Sequence, residues 1–359
     1  MKMTRGRESR LGFCSMSSDK QKSYFIGMLL FTFYLLFSWP SSQPEHVPPA
    51  NDEKITDKVL LFYVYANTHK HAYGNLKYFI DTAVRENDGV DYVFILQQVE
   101  NKVIDESQLP KLRKGNAFYF QHENKCFDYG SIGWFIQTHT IGNPWRKTTS
   151  ADTTGDRNRK FDLRQYKYFI TMNASIRGPY FPPYFLQFQS DYEKDFNKKF
   201  YWYYVFTQRL NENVKLVGCT LSCNEQYHIQ SYFATTDWTG MSLLLKSGGI
   251  DGVPGAGVFG CYTSKSDTIS VSELGLSTHI LNGNYSITPT MSKYFQLTFS
   301  KQSQYRCTIA TNPYSDKSVD GVSLEPLDVI FVKFNDIQGT LDAQNRAELY
   351  EKWTKNRTL

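Results

Sequence analysis

Apolar residues fall into short continuous runs that alternate with stretches of helical spacing. Val59–Tyr65 (VLLFYVY) is an uninterrupted apolar run, which is typical of a parallel strand buried on both faces. Asn75–Val84 carries apolar side chains at helical spacing, as does Leu274–Leu281. Further strands are predicted at Asp91–Leu96, Asn116–Phe120, Tyr166–Met172, Val214–Gly218 and Ile229–Ala234. This alternation predicts an α/β domain with an open, mostly parallel sheet flanked by helices.

Two polar stretches interrupt this pattern. Pro144–Lys160 has no apolar period and is predicted to be a surface insertion. Lys246–Gly260 is rich in glycine but lacks the spacing of a P-loop or a dinucleotide-binding loop, so we expect a mobile loop there.

The N-terminal part of the chain has the pattern of a membrane anchor. Ser23–Trp39 is a stretch of 17 residues without a charge, and as a helix it would be about 26 Å long. Small residues are poorly placed for cleavage around Trp39, which favours an uncleaved anchor over a signal peptide. A basic tail (1–22) precedes the span and a Pro-rich stem (40–57) follows it. The sequence therefore predicts a single-pass type II protein with residues 58–359 in the lumen of the Golgi or of another secretory compartment.

Charge and composition narrow the possible functions of the luminal part. The whole chain of 359 residues carries +5, and +4 of this belongs to the basic tail. A nearly neutral body argues against nucleic-acid binding. Aromatic residues make up 16% of the chain, which suits a strand-rich core and a binding cleft with ring-lined walls.

Cysteines and glycosylation sequons agree with a luminal location. The cysteines that follow the anchor are Cys126, Cys219, Cys223, Cys261 and Cys307. Their number is odd, so at least one thiol stays free or pairs with another chain, and none of them has zinc-site spacing. The sequons begin at Asn173, Asn284 and Asn356.

Ligands of open α/β sheets bind beyond the carboxyl ends of the strands, so the residues after each strand are the candidates for a site. Asp128 and Gly130 follow the third predicted strand, where the glycine would let the backbone approach a ligand closely. A helix cap and turn is the alternative interpretation of this segment. Asn173, Ser175 and Arg177 follow the fourth strand, and a guanidinium there could pair with phosphate.

Two later segments add candidates. His228 and Gln230 would share a face of a strand, although a single histidine is more often structural. Glu273 is predicted at the head of the helix over Leu274–Leu281, where the helix dipole would keep its carboxylate ionised. A purely capping role is the alternative for Glu273.

The order of these segments resembles that of the rhamnan synthesis F-like glycosyltransferases and their algal and plant relatives. NKCFDYG, FITMNASIRGP, HIQSYF and SELGLSTHILNGNY follow the family's N-x-G-x-D-x-G, N-D-S-x-x-G-P, H-[LI]-Q-S-[YF]-F and E-x-G-[LI]-[ST] motifs. The resemblance covers Val59–Tyr285. Cys126 replaces a motif glycine, and Ala174 replaces the acid of N-D-S, which stands where many GT-A enzymes carry a metal-binding D-x-D.

The resemblance implies a GT-A-type enzyme that moves a sugar from a nucleotide-sugar donor to a hydroxyl of a glycan or glycoconjugate. Such a transfer needs a base for the acceptor hydroxyl and stabilisation of the leaving diphosphate. It implies an inverting mechanism with Glu273 as the base. By the same resemblance, Asp128 would contact the nucleoside or ribose. The diphosphate would be bound, directly or through Mn²⁺ or Mg²⁺, by Asn173, Ser175 and Arg177. The sugar would be bound by His228 and Gln230.

Two other functions stay open at this point. The substitution at Ala174 would fit a non-catalytic carbohydrate-binding or scaffold protein derived from a transferase. A membrane-tethered hydrolase would need two carboxylates that flank a cleft, and Glu273 alone is well placed in the sequence. Asp237, in ATTDWTG after the sixth predicted strand, is the next candidate for a base.

We expect residues 58–359 to be protected from added protease in sealed microsomes, because the basic tail keeps the N-terminus in the cytosol. Asn356 should be the sequon most readily glycosylated. Detergent should remove the protection, which serves as the control. Digestion of the body in intact vesicles would contradict the type II orientation.

Overall fold

The computed structural model describes residues 57–355 except positions 99, 101, 113–114, 143–144, 146–160, 197–198, 224–225, 248–255, 304–311 and 337–339. The predicted tail, the span Ser23–Trp39, the stem up to residue 56 and the Asn356 sequon lie outside these residues. So does the predicted insertion Pro144–Lys160, apart from Trp145. Within the described part, no helix is long and apolar enough to cross a membrane.

Strands of the described residues form one large sheet and three small ones. In chain order they are β1 (Val59–Ala66), β2 (Val90–Gln98), β3 (Ala117–Glu123), β4 (Thr140–Ile141), β5 (Phe161–Asp162), β6 (Tyr168–Asn173), β7 (Ile176–Arg177), β8 (Val214–Gly218), β9 (Leu221–Ser222), β10 (His228–Ile229), β11 (Phe233–Asp237), β12 (Ser286–Pro289) and β13 (Val332–Lys333). The large sheet has the order β12-β8-β11-β6-β1-β2-β3, and the small sheets pair β10 with β9, β13 with β7 and β4 with β5.

The large sheet is parallel except at β11. This strand runs antiparallel to both of its neighbours, β6 and β8. β1 pairs in parallel with β2 on one side and with β6 on the other. From β1 the chain adds β2 and then β3 on one side, and it then adds β6 on the other side of β1. The strand order therefore reverses between β1 and β6.

Helices cover both faces of the sheet. They are α1 (Ala72–Ala83), α2 (Phe127–His139), α3 (Pro183–Phe196), α4 (Tyr204–Thr207), α5 (Trp238–Leu245), α6 (Lys265–Asp267), α7 (Leu274–Asn282), α8 (Pro326–Val329) and α9 (Leu341–Lys355). A π-helical segment, Thr268–Glu273, joins α6 to α7. Short 3₁₀ turns occupy Glu106–Gln108, Leu163–Gln165, Gly257–Phe259 and Ser292–Tyr294.

Neighbouring side chains of β1 show how the two layers pack. Phe62 contacts Phe135 of α2 at 5.7 Å between ring centroids, and Tyr63 contacts Phe79 of α1 at 5.4 Å. Successive strand residues point to opposite faces, so α2 and α1 lie on opposite sides of the sheet. Both faces of β1 are therefore buried from solvent, which explains its continuous apolar sequence.

The mixed α/β class and the mostly parallel sheet confirm the sequence-based prediction. The predicted strand Val214–Gly218 has the observed bounds, and β1 extends by one residue to Ala66. The sixth strand is different from the prediction. Ile229–Ala234 is divided between the short β10 and the antiparallel β11, which begins at Phe233.

The end of the Gly-rich segment, residues 256–260, is ordered where a mobile loop was predicted. Gly257–Phe259 forms a buried 3₁₀ turn that packs on α2. The N-terminus of α2 is joined to the end of this segment by a disulfide between Cys126 and Cys261. A methyl group at Gly133 of α2 would lie only 2.1 Å from the carbonyl oxygen of Phe259. The prediction was wrong for this part because the glycines permit close packing between two protein segments.

Replacing Gly133 by alanine should therefore force α2 away from the turn. We expect Gly133→Ala to lower the free energy of unfolding by about 1–3 kcal/mol, even though alanine is the better helix former. Urea denaturation measures this change.

Gly115→Ala is the matched control, since its added methyl group would meet nothing within 4 Å. It should change stability by less than about 0.5 kcal/mol. Equal stability of the two variants would contradict the close packing of α2 on the 3₁₀ turn.

Candidate functional site

Polar side chains converge where β1 and β6 end, at the reversal of strand order. Asn173 is the last residue of β6, and its Nδ2 donates a hydrogen bond to Oδ2 of Asp128 at 2.7 Å. Asp128 lies in the first turn of α2, which follows β3. Two segments that the sequence singled out separately are therefore in direct contact. Their position is the one at which open α/β sheets bind ligands.

A chain of hydrogen bonds extends this contact to the C-terminal part of the protein. The hydroxyl of Ser175 donates to Oδ1 of Asn173, and the backbone N–H of Ser175 donates to the same oxygen at 3.1 Å. Nζ of Lys333, on β13, donates to Oγ of Ser175 at 2.8 Å. The short pairing of β13 with β7 places Lys333 opposite Ile176 and so next to this serine.

Glu273 reaches the same region from the π-helical segment. Its Oε2 accepts a hydrogen bond from Oγ of Ser231 at 2.8 Å. Ser231 lies just before the antiparallel strand β11, whose first residue, Phe233, is paired with Met172 near the end of β6. We call Asp128, Asn173, Ser175, Glu273 and Lys333 the edge cluster.

The predicted position of Glu273 at a helix N-terminus is wrong. The helical stretch begins at Lys265 and is capped by Ser264, and Glu273 is its ninth residue. A free N–H group and the positive end of the helix dipole are therefore not next to its carboxylate. The widened π turn presents Glu273 instead, and such turns occur frequently at functional sites.

Burial and mutual charge perturb two groups of the edge cluster. The pKa of Asp128 is raised to about 6, mainly by burial and also by the charge of Glu273, while the Asn173 hydrogen bond and the charge of Lys333 oppose the shift. Burial lowers the pKa of Lys333 to about 8, although the charges of Asp128 and Glu273 oppose this shift. Charged groups that are costly to bury and that face one cleft are typical of functional sites.

Tyrosine rings surround the edge cluster. Nζ of Lys333 lies 5.2 Å from the ring centroid of Tyr232 and 5.6 Å from that of Tyr314. The hydroxyl of Tyr129 donates to the carbonyl oxygen of Ser231 at 3.1 Å. The rings lower the local polarity around the charges, which strengthens electrostatic interactions within the site.

His228 and Gln230 lie beside the edge cluster and contact each other. Their Nε2 atoms are 3.3 Å apart, although the strand covers only His228–Ile229 and Gln230 follows it. Nδ1 of the buried His228 lies 2.9 Å from the carbonyl oxygen of Gln226. Gln230 directly precedes Ser231, the partner of Glu273. Their role as sugar ligands stays a prediction.

Gly130 was predicted to let the backbone approach a ligand closely. The structure contradicts this prediction. An added Cβ there would lie 2.5 Å from Cβ of Cys126 and 2.8 Å from the carbonyl oxygen of Gly260. The space next to this glycine is filled by the disulfide-linked 3₁₀ segment. Gly130 is a packing residue of α2.

Arg177 is held in a different network from the one predicted. Its Nε donates to Oδ1 of Asn75 at 2.8 Å, and its Nη1 donates to Oε1 of Glu351 at 3.3 Å. The guanidinium also lies 3.7 Å from the ring centroid of Phe334. These contacts fasten α9 and α1 to β7 and favour a structural role for Arg177, whereas its phosphate contact stays a prediction.

Asp237 lies at the wrong edge of the sheet to serve as an alternative base. β11 is antiparallel, and Asp237 is therefore paired with Tyr168, the first residue of β6. Its carboxylate caps α5 through Gly240 N–H at 2.9 Å and accepts from Nζ of Lys215 at 2.6 Å. Both contacts are structural.

The site residues that the sequence did not reveal are Lys333, Ser231, Tyr129, Tyr232 and Tyr314. Ser231 and Tyr232 stand inside the HIQSYF motif, and Tyr129 follows Asp128, so proximity to the motifs was the available signal. Lys333 and Tyr314 lie beyond the last motif, in a region without a strong period. Only the pairing of β13 with β7 brings Lys333 to the site.

A divalent cation does not fit the edge cluster well. The amide oxygen of Asn173 is already occupied by Ser175, an ammonium group lies beside it, and Ala174 is 4% exposed. Among the described residues, no group of three or more His, Cys, Asp or Glu side chains could hold a metal ion.

The odd number of cysteines predicted at least one thiol without a partner in the chain, and the described residues contain one. Cys219 is free and buried, whereas Cys126, Cys261 and Cys223 are disulfide-bonded. Burial raises the pKa of the Cys219 thiol well above its usual value, so this residue is a poor nucleophile.

No protein-family model matches the sequence, and comparison with curated proteins finds no significant match.

Replacing Arg177 should act on stability. We expect Arg177→Ala to lower the free energy of unfolding by about 3 kcal/mol, because it leaves Glu351, whose side chain is only 13% exposed, without its cation. Urea denaturation of the variant measures this loss.

Arg164→Ala is the control, since Arg164 forms an ion pair with Asp162 while its own side chain is 65% exposed. It should cost less than about 1 kcal/mol. An Arg177→Ala protein of normal stability that no longer binds nucleoside diphosphates would restore the phosphate-binding role.

Proposed function

We propose that the protein is a GT-A-type glycosyltransferase that moves a sugar from a nucleotide-sugar donor to a hydroxyl of a glycan or glycoconjugate. The observation that carries the proposal is the convergence of Asp128, Asn173 and Glu273 at the reversal of strand order. These residues come from three separate motifs of the resemblance. A hydrogen bond joins Asp128 of α2 to Asn173 of β6, and the charge of Glu273, on the π-helical segment, acts on Asp128. The open, mostly parallel sheet also supports a GT-A-type domain.

The reaction requires one proton transfer and one displacement. The acceptor oxygen forms a bond to the anomeric carbon while the bond from this carbon to the diphosphate oxygen breaks. In our proposal, Glu273 takes the proton of the acceptor hydroxyl, since an ionised carboxylate on a cleft wall can act as a general base. The hydrogen bond from Ser231 orients this carboxylate. Direct displacement inverts the anomeric configuration.

Asp128 is suited to hydroxyl groups of the donor. Its Oδ2 accepts a hydrogen bond from Asn173, and no hydrogen bond from the described residues reaches Oδ1, which can accept from a ribose hydroxyl. With a pKa of about 6, Asp128 is mainly ionised at neutral pH and becomes protonated in more acidic solution. Donor binding that depends on the carboxylate should therefore weaken as the pH falls below 6.

The luminal location belongs to the same proposal. Disulfides form and persist in oxidising compartments, and the Cys126–Cys261 bond lies next to the proposed site. A basic tail followed by an uncharged span and a stem is the arrangement expected of a Golgi-type enzyme.

The decisive variant is Glu273→Gln. Glutamine keeps the size of the side chain and can still accept the hydrogen bond from Ser231, but it is no longer a base. We expect turnover to fall by about 10²-fold or more, whereas the affinity for the donor stays nearly constant. Sugar transfer and donor hydrolysis by the purified protein, measured with a panel of UDP-, GDP- and dTDP-sugars, provide the readout.

Glu348→Gln, a change on the exposed side of α9, should leave turnover unaltered. Near-normal turnover of Glu273→Gln would reject the assignment of the base. Binding of glycans without transfer or hydrolysis of any donor would instead favour a non-catalytic carbohydrate-binding protein.

A further inference from the structure

The ammonium group of Lys333 has an unusual environment for a lysine. It lies between the rings of Tyr232 and Tyr314 and is only partly accessible to solvent. Its one hydrogen-bond partner among the described residues is Oγ of Ser175. An ammonium group has three donors, so two N–H directions are left for another acceptor.

No carboxylate of the described residues forms an ion pair with this ammonium. Asp128 and Glu273 are near enough for their charges to act on it, but neither lies within the 4.0 Å of an ion pair. Partly buried lysines are normally paired, because an unpaired charge is costly to remove from water. The ammonium can therefore donate to an anionic ligand as well as to Ser175.

The position of Lys333 in the fold selects the kind of anion. The lysine and Ser175 lie at the carboxyl edge of the sheet, next to the reversal between β1 and β6. Asp128 and Asn173 are part of the same hydrogen-bonded chain. A ligand with hydroxyls for Asp128 and an extended negative group for Lys333 has the chemistry of a nucleoside diphosphate.

We infer that Lys333 binds the diphosphate of the donor and stabilises it as the leaving group, with Ser175 orienting the ammonium. This inference rests on the proposed glycosyltransferase function. It assigns to Lys333 the charge-neutralising role that was predicted for Arg177. The side chains that face the ammonium are those of Asp128, Glu273, Tyr232 and Tyr314, and the charge of Lys333 also acts on His69.

Inorganic pyrophosphate, UDP, GDP and dTDP are the probes, with binding measured by calorimetry. A charge-assisted hydrogen bond within a partly buried site predicts that Lys333→Met weakens binding by about 10- to 100-fold. Lys352→Met is the matched control, since it removes the same charge from an exposed position of α9. It should change the affinity by less than about twofold.

A pH series separates a ligand contact from a merely structural role. Burial lowers the pKa of Lys333 to about 8 in the free protein, and a bound diphosphate would favour the charged form. The contribution of Lys333 to the affinity should therefore be nearly full at pH 7 and decline as the pH rises through 8. Lys333→Arg stays charged throughout, so the ratio of its Kd to that of the Lys333 protein should fall as the pH rises from 7 to 9.5. The titration of the probe itself cancels in this ratio.

The outcomes distinguish this inference from the proposed function. Sugar transfer with normal diphosphate binding in a folded Lys333→Met protein would overturn the inference alone. A Kd ratio that does not change with pH would also overturn it, even if Lys333→Met did not fold. Lys333-dependent binding of pyrophosphate without transfer from any donor would support the anion site and reject the glycosyltransferase.

Discussion

Parallel pairing of β1 on both of its edges is the constraint on which the site depends. β1 lies between β2 and β6, and all three strands end at the same edge of the sheet. The chain must leave this edge after every parallel strand, so Asp128 and Asn173 are brought together from segments 45 residues apart. β11 is the one antiparallel strand of the described large sheet, so it starts at the edge where the parallel strands end. Ser231, which lies just before β11, is therefore at this edge. The edge cluster is thus a result of strand direction.

Those parts of the fold could be predicted in which the burial of a strand or helix leaves a pattern of apolar residues in the sequence. β1 and β8 are buried over nearly their whole length, and their apolar runs gave their bounds to within one residue. Strand direction leaves no such signal. Periodicity shows that a segment such as β11 is a buried strand, but the direction follows from the connection before it. The misplacement of Asp237 came from this one unknown.

The candidate site could be predicted only where its residues stand next to strongly patterned strands. Asp128, Asn173 and Ser175 follow β3 and β6 directly, and the structure places them in one hydrogen-bonded chain. Arg177 follows the same strand, yet its partner Glu351 lies on a C-terminal helix that no motif marks. Lys333 was missed for the same reason. In our proposal Lys333 takes the role that was predicted for Arg177, because a contact over a long sequence distance pairs Arg177 with Glu351.

The π-helical segment has an evolutionary consequence. Each π turn holds one residue more than an α turn, so Thr268–Glu273 is equivalent to a one-residue insertion in a helix that otherwise continues from Lys265 to Asn282. The helical parts before and after the π turn can keep their own packing, while the inserted residue pushes the side chains of the π turn outward. A carboxylate could therefore be acquired at this cleft, or lost from it, by a single codon insertion or deletion without rebuilding the sheet.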